Sequence, residues 1–116
     1  MGDVLVDSDV LIDHLRGARA FRARQDNVSY SVITRCELFA GRGADDAKIT
    51  ILLAPFSEIA VDRDIAERAG RLRRNTGLRT PDALIAATAL ERGLTLITRN
   101  VSDFAGVRSL RLRQPR

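Results

Sequence analysis

Short runs of aliphatic and β-branched residues recur along the chain and alternate with longer amphipathic segments, a pattern typical of α/β proteins. The first run, Val-Leu-Val at residues 4–6, predicts a strand that is covered on both faces. Further strands are predicted at residues 28–30, 59–61, 94–97 and 107–112. The chain shows no linker or internal repeat, so we expect residues 1–116 to form a single domain.

Helical patterns fill the segments between these strands. The predicted helices are one directly after the first strand, residues 18–24, 31–41 and 44–55, one that starts at Asp62, and residues 80–90. In the last of these, Thr80 is predicted to cap the helix and Pro81 to take its first position. Because this helix is rich in alanine and apolar on nearly every side, we expect it to pack closely against the sheet.

Composition narrows the classes of protein that fit the pattern. The chain has 116 residues, 45% of them hydrophobic, and no apolar run long enough to cross a bilayer. Without a leader-like start and with a single cysteine, it is expected to be soluble and cytoplasmic. One cysteine and one histidine cannot build a structural zinc site, which leaves oxygen-ligated metals such as Mg²⁺ or Mn²⁺.

Charge gives weaker guidance. The formal net charge is +4, and Lys48 is the only lysine beside eighteen arginines. Arginine suits phosphate oxygens and carboxylates, so the balance fits a nucleic-acid substrate or an acidic protein partner. The arginines of residues 68–74 form either a solvated helix face or a surface for RNA phosphates, and the sequence leaves both interpretations open.

Acidic residues occur where a buried strand or a helix face would not require them. Asp7 and Asp9 follow the first strand, and the carboxyl ends of parallel strands are where ligands bind in open sheets. The simpler interpretation is that Asp7 or Ser8 caps the following helix. Glu37 shares a helix face with Ile33 and Cys36, so it needs either a cation or an arginine partner from elsewhere in the fold.

Two further acids lie later in the chain. Asp82 lies in the first turn of the helix at residues 80–90, where a helix dipole alone would explain it. Asp103 lies in a predicted polar loop, residues 98–104, after the fourth strand, where a turn or cap is the alternative. These acids, together with Asp7 and Glu37, can converge only if the strands are parallel and the connections right-handed.

The order of these motifs resembles a known family. Residues 4–13, 31–41, 80–90 and 94–104 resemble PIN-domain ribonucleases, and most closely the VapC-type toxins of bacterial toxin–antitoxin pairs. The resemblance covers nearly the whole chain. It implies a three-layer α/β fold with a mostly parallel central sheet flanked by helices.

The resemblance also implies a site. In it Asp7, Glu37, Asp82 and Asp103 are the catalytic acids and hold Mg²⁺ or Mn²⁺. The supporting positions are Thr98, Asn100 and Asp9, of which Asp9 stands where the family often has Ser or Asn. The implied activity is a metal-dependent endoribonuclease that hydrolyses RNA phosphodiesters with a metal-activated water. The implied partners are the RNA substrate, a small cognate antitoxin and a second copy of the chain in a homodimer.

Two rival interpretations remain at this point. One is a PIN-like domain that binds RNA or protein without catalysis. The other is a small phosphatase that uses Asp7 as a nucleophile, since residues 7–10 also resemble the opening of haloacid dehalogenase-type enzymes. Such phosphatases need a downstream lysine, and Lys48 lies in no suitable position after a strand.

Overall fold

A central parallel sheet organises the fold of this protein, for which the computed structural model describes residues 2–116. Its strands are β1 (Asp3–Val6), β2 (Asn27–Ser31), β3 (Ser57–Ile59), β4 (Thr95–Ile97) and β5 (Leu112–Arg113). They lie in the order β3-β2-β1-β4-β5, and every neighbouring pair is parallel. The predicted α/β fold with a parallel central sheet is confirmed.

Helices cover both faces of the sheet. In chain order they are α1 (Ser8–Leu15), α2 (Val32–Phe39), α3 (Asp46–Leu53), α4 (Arg63–Thr76), α5 (Thr80–Arg92) and α6 (Val101–Phe104). No helix within residues 2–116 is long and apolar enough to span a bilayer.

The side chains of β1 divide the core into two parts because successive residues of a strand point to opposite faces. Val4 and Val6 pack in a cluster with buried side chains of α1, α2 and α3, while Leu5 packs on the other face with Ile85 and Phe104 from α5 and α6. Helix α4 packs outside α5 through a third cluster that includes Ile65. The result is a three-layer arrangement with β1 at its centre.

Helix α5 packs closely because its buried side is built from small side chains. Ala83, Ala86 and Ala89 are at most 1% exposed, which lets the helix backbone approach the sheet. The helix ends at Gly93, whose φ of 65° is a left-handed conformation that glycine adopts without strain. The predicted burial of this helix is confirmed, but Thr80 is its first residue; the cap position is Arg79, which makes no side-chain capping bond.

The short basic helix predicted for residues 18–24 is wrong. This segment has turns and irregular backbone, with Gly17 and Arg24 both at positive φ. Phe21 explains the difference: its backbone N–H donates to His14 Nδ1, and its ring meets Phe56 edge-on with centroids 6.0 Å apart. A tertiary contact therefore fixes the segment, and a helix would not reach it.

Two strand predictions are also shifted. The third strand covers Ser57–Ile59 rather than residues 59–61, because Asp62 caps α4 and the residues before it are needed to enter that helix. The last strand is only Leu112–Arg113 rather than residues 107–112, since the chain first turns at Ser109, where φ is 69°. The predicted loop after β4 contains the short helix α6.

Candidate active site

The order of the strands marks one place where a site can form. From β1 the chain proceeds outwards through β2 and β3, and it then returns to place β4 on the other side of β1. In open parallel sheets the crevice at such a switch, beyond the carboxyl ends of the strands, is where ligands bind. Here that crevice receives the residues after β1 and after β4, namely Asp7, Asp9 and the loop at residues 98–100.

Asp7 is the most deeply buried carboxylate of the crevice, with 5% of its surface exposed. One oxygen accepts a bond from Ser8 N at 2.8 Å, and the other accepts from Thr98 Oγ1, also at 2.8 Å. Burial, together with the charges of Asp9 and Asp82, raises its pKa to about 7, and these two hydrogen bonds only partly oppose the rise. Asp7 therefore occupies a position where negative charge is costly unless a cation balances it.

Asp9 ties the start of α1 to the loop after β4. Its Oδ2 accepts bonds from Arg99 N and Asn100 Nδ2, each at 3.1 Å, and lies 3.3 Å from Thr98 Oγ1. Its Oδ1 is buried and has no hydrogen-bond partner within the described residues 2–116. Burial raises the pKa of Asp9, an effect that the Arg99 N–H opposes. One oxygen thus positions the loop, and the other remains free to accept a further ligand.

Glu37 reaches the crevice through a chain of hydroxyl groups. Ser8 Oγ donates to Glu37 Oε1 at 2.6 Å and lies 2.9 Å from Thr34 Oγ1. Since the Ser8 proton is used on Glu37, the Thr34 hydroxyl is the donor in the second contact. Ser8 also follows Asp7 directly, so these bonds connect Glu37 on α2 to the end of β1.

The reason given from the sequence for singling out Glu37 was partly wrong. Cys36, predicted to share an apolar face with it, is exposed, and the buried side chains of α2 are Thr34 and Leu38. The side chain of Arg35 pairs with Glu58 and not with Glu37. Glu37 therefore faces a polar cluster rather than an apolar stripe.

Asp82 and Asp103 lie at the outer side of the crevice. Asp82 is in the first turn of α5, where burial raises its pKa, Arg79 at 3.9 Å opposes the rise, and the charge of Asp103 adds to it. Asp103 is exposed on α6. The like-charge effects link Asp103 to Asp82 and Asp82 to Asp7, so the predicted acids from β1, α5 and α6 lie within electrostatic range of one another.

The donor set fits a hard divalent cation. It consists of carboxylate oxygens, one of which is the buried and unpartnered Asp9 Oδ1. The raised pKa of Asp7 shows that negative charge in this crevice lacks a balancing cation. As the side chains of residues 2–116 are placed, no three His, Cys, Asp or Glu residues already form a metal-holding group.

Comparison with known proteins agrees with this geometry. The family model described as PIN domain matches residues 4–109, which extend from β1 to beyond α6. The chain belongs to the PIN-domain family. The resemblance noted from the sequence is thereby confirmed.

Two curated relatives of this PIN domain are proteins of Mycobacterium tuberculosis. Ribonuclease VapC10 is 42% identical over 113 residues, covering 87% of this chain and 85% of the relative. Ribonuclease VapC19 is 34% identical over 115 residues, covering 86% and 90%.

Solved structures show the same fold. A toxin–antitoxin complex from Klebsiella pneumoniae contains a chain that is 37% identical, with a TM-score of 0.79 and coverage of 92% of this chain and 94% of that one. The DNA-bound VapBC from Salmonella typhimurium has a TM-score of 0.86 at 20% identity, covering 98% of each chain, and supports the fold alone.

The sequence reasoning missed two side chains of this PIN domain's site. The sequence predicts Ser8 only as a possible helix cap and gives Thr34 no role. Both are buried, at 4% and 0% exposed; the Ser8 hydroxyl bonds Glu37, and the Thr34 hydroxyl contacts that of Ser8. Thr34 precedes Glu37 by three residues on α2, so a helical spacing of a hydroxyl and a carboxylate was the available signal.

Proposed function

We propose that this PIN domain is a metal-dependent endoribonuclease that acts as the toxin of a toxin–antitoxin pair. The observation that carries the proposal is Asp7, a buried carboxylate at the switch point of the sheet with the charges of Asp9 and Asp82 close enough to raise its pKa. A binding domain without catalysis has no need to bury uncompensated charge at this cost. The curated relatives named as ribonucleases support the same activity.

The residues proposed to hold the metal are Asp7, Glu37, Asp82 and Asp103, with Mg²⁺ or Mn²⁺ as the expected ion. Such an ion neutralises charge on phosphate oxygens and lowers the pKa of an attacking water. All four donors are carboxylates, which suit both ions.

The other polar residues hold these carboxylates in place. Thr98 and the Ser8 N–H each occupy one oxygen of Asp7, which fixes the plane of its carboxylate. Ser8 Oγ holds one oxygen of Glu37 and leaves the other unconstrained by that bond. Asp9 fixes the loop through Arg99 N and Asn100 Nδ2, and this loop leads into the helix that carries Asp103. We assign Thr98, Asn100 and the Oδ2 atom of Asp9 to positioning, while Asp9 Oδ1 remains free to accept a further ligand beside the four acids.

Hydrolysis by water predicts the chemistry of the products. No side chain is needed as nucleophile, and the RNA 2′-hydroxyl takes no part, so the new ends should be a 5′-phosphate and a 3′-hydroxyl. Single-stranded RNA or loops are the expected substrates, since a crevice at the edge of a sheet reaches a phosphate best where the strand is splayed out.

Metal dependence is tested by cleavage assays on total RNA. EDTA should abolish cleavage, and an excess of Mg²⁺ or Mn²⁺ should restore it. The ends are then analysed by ligation, which distinguishes a 5′-phosphate from a 5′-hydroxyl. Cleavage that persists in EDTA, or products that end in 2′,3′-cyclic phosphate, would contradict the proposal.

The proposed partners are a small cognate antitoxin and a second copy of the chain. The similar chain from Klebsiella pneumoniae was solved in a toxin–antitoxin complex, which supports the first. A toxin that cleaves cellular RNA is expected to act in the cytoplasm as a single domain. Growth should be inhibited on induction of the wild-type chain and not on induction of Asp82→Asn at equal expression; equal inhibition by both would count against the toxin role.

A further inference from the structure

A partly open cavity lies beside the candidate active site, between α1, α2 and the turn that leads into α3. Its volume is about 180 Å³. That is several times the roughly 30 Å³ that one water molecule occupies in the liquid. Its apolar wall includes Ile12 and Leu15, which are partly exposed, and Leu38 and Ile49, which are almost fully buried. The space therefore suits a compact apolar group such as a ring better than a single water.

The rim of this cavity is basic. Arg16, Arg42 and Lys48 line it, all three are exposed, and none forms an ion pair within residues 2–116. This distinguishes them from Arg35 and Arg99, whose charges are paired with Glu58 and Asp13. We call the space bounded by these three cations the basic cavity.

Two acidic residues also line the basic cavity. Asp45 caps α3 by accepting a bond from Lys48 N, so one of its oxygens is already used. Glu37 lies where the basic cavity meets the acidic crevice, because its Oε1 accepts from Ser8, the residue next to Asp7. A ligand that entered the basic cavity would therefore lie directly beside the carboxylates.

We propose that the basic cavity binds one nucleotide of single-stranded RNA next to the scissile bond. The base packs against the aliphatic wall, and the neighbouring phosphates lie against Arg16, Arg42 and Lys48. This inference rests on the proposed ribonuclease function, since it extends that site to a part of the substrate. Unpaired cations around an apolar recess match a nucleotide, which presents an apolar ring between anionic phosphates.

The wall also predicts how selective this contact is. Leucine and isoleucine side chains offer no hydrogen bonds to the edges of a base, so the basic cavity should accept different bases with similar affinity. Its contribution should be electrostatic and therefore dependent on salt. An acidic peptide from a protein partner is the competing occupant, and the experiment below separates the two.

The test compares two double variants that each remove two positive charges. Arg42→Ala with Lys48→Ala removes two of the three rim cations of the basic cavity and leaves Arg16 in place. Arg22→Ala with Arg63→Ala is the matched control, because both arginines are exposed, lie outside the cavity lining and form no ion pair within residues 2–116. Binding of a fluorescein-labelled oligouridine is measured by anisotropy over a range of salt concentrations in EDTA. Equal melting temperatures verify that both variants fold.

The expected result is a loss specific to the rim variant. At low salt its affinity should fall about tenfold, and the slope of log affinity against log salt should decrease by about 1.4, at roughly 0.7 per phosphate contact on a single strand. In cleavage assays KM should rise while kcat changes little, as for a contact made equally in the ground and transition states. The control should retain most of the wild-type slope.

The outcomes separate this inference from the proposed function. If the wild type cleaves RNA but the rim variant and the control have equal salt slopes, the basic cavity does not bind RNA and only this inference fails. If the wild type does not cleave RNA but the rim variant specifically loses RNA affinity, the basic cavity binds RNA as inferred, whereas the proposed function and the placement beside a scissile bond both fail. If the rim variant keeps its RNA affinity and instead loses inhibition by the cognate antitoxin, the basic cavity is a protein site and the inference is wrong.

Discussion

The inner and outer acids of the crevice are the same kind of residue in very different surroundings. The inner pair, Asp7 and Asp9, follows β1 and is held by donors from the loop after β4. The outer pair, Asp82 and Asp103, lies on α5 and α6, where Arg79 at 3.9 Å is the only partner found within residues 2–116.

The difference indicates that charge has two distinct costs in this site. The inner pair destabilises the fold, because buried carboxylates raise the free energy of the folded state and their hydrogen bonds offset only part of this rise. In the outer pair Asp103 is exposed and Asp82 is only partly buried, so these two charges destabilise the fold less. Removing an inner acid should therefore change both stability and activity, whereas removing an outer acid should change mainly activity.

The largest expected effect comes from comparing Asp7→Asn with Asp82→Asn. Each should lower the cleavage rate more than about a hundredfold. The loss of a carboxylate that holds the metal should exceed the 10–100-fold loss typical of residues that only orient such a ligand. In EDTA, however, Asp7→Asn should melt several degrees higher than wild type, since the amide keeps an acceptor for Ser8 N and removes a buried charge. The melting temperature of Asp82→Asn should lie within about two degrees of that of the wild type.

This comparison uses thermal unfolding in EDTA beside cleavage rates with Mn²⁺. Asp7 caps α1 in the structure. A lower melting temperature for Asp7→Asn, together with retained cleavage, would make this capping its only role and remove the distinction between the two pairs.

The pH dependence of stability should isolate Asp7. Its pKa is raised from 3.8 to about 7, so the folded state holds a proton that the unfolded state releases. Stability should therefore be lost as pH rises from about 4 to about 7, by up to about 4 kcal/mol, and change little above that range. Asp26, whose pKa Arg113 lowers, acts in the opposite direction at low pH.

Subtracting the profile of Asp7→Asn from that of the wild type cancels the contribution of Asp26. Denaturant unfolding in EDTA across this pH range gives both profiles. Parallel curves would show that Asp7 does not carry the raised pKa.

A smaller effect should separate Asp9→Ala from Asp103→Ala. The first leaves Arg99 N and Asn100 Nδ2 without their acceptor and should lower the free energy of unfolding by about 1–2 kcal/mol. Relief of repulsion with Asp7 keeps the loss below the full cost of two bonds. The second removes an exposed carboxylate and should stay within about 0.5 kcal/mol of wild type.

Urea unfolding at neutral pH in EDTA measures both values, with Asp9→Asn as the matched control that retains an acceptor oxygen. Equal stabilities for all three variants would mean that Asp9 does not position the loop.

The smallest expected effect concerns Ser8, which joins the inner pair to Glu37. Ser8→Ala removes the donor to Glu37 Oε1 and should lower the cleavage rate about tenfold, as for other residues that orient a metal-holding group. Thr34→Val, which removes only the hydroxyl behind Ser8, should have a smaller effect. Rates measured over a range of Mn²⁺ concentrations distinguish weaker metal binding from slower chemistry, and an unchanged rate for Ser8→Ala would leave Glu37 positioned by other means.

Most of the fold could be predicted because its periodic signals are strong. The run at residues 4–6, the alanine-rich α5 and the capping acids of α4 each specify their own structure locally. The errors fell where a long-range contact decides the backbone, as at Phe21, or where a short edge strand needs only two residues to pair, as at Leu112–Arg113. Local sequence carries little information on either.

Candidate residues for the site could be named from the sequence, whereas their connections could not. Asp7, Glu37, Asp82 and Asp103 could be named from motifs in order along the chain. Their hydrogen-bond partners could not, because Ser8 and Thr34 become neighbours only when α1 packs against α2. Which oxygen of Asp9 remains free depends on loop geometry and cannot be read from the residue type.

The hydrogen bond from Thr98 to Asp7 also has a consequence for biosynthesis. These residues are 91 positions apart, and β4 must pair with β1 before the bond can form. Contacts between residues so distant in sequence form slowly, and during translation they must wait until the second residue has left the ribosome. The crevice is thus completed late, so under the proposed assignment a nascent chain that already holds Asp7, Glu37 and Asp82 lacks a complete site until residues 95–103 have emerged.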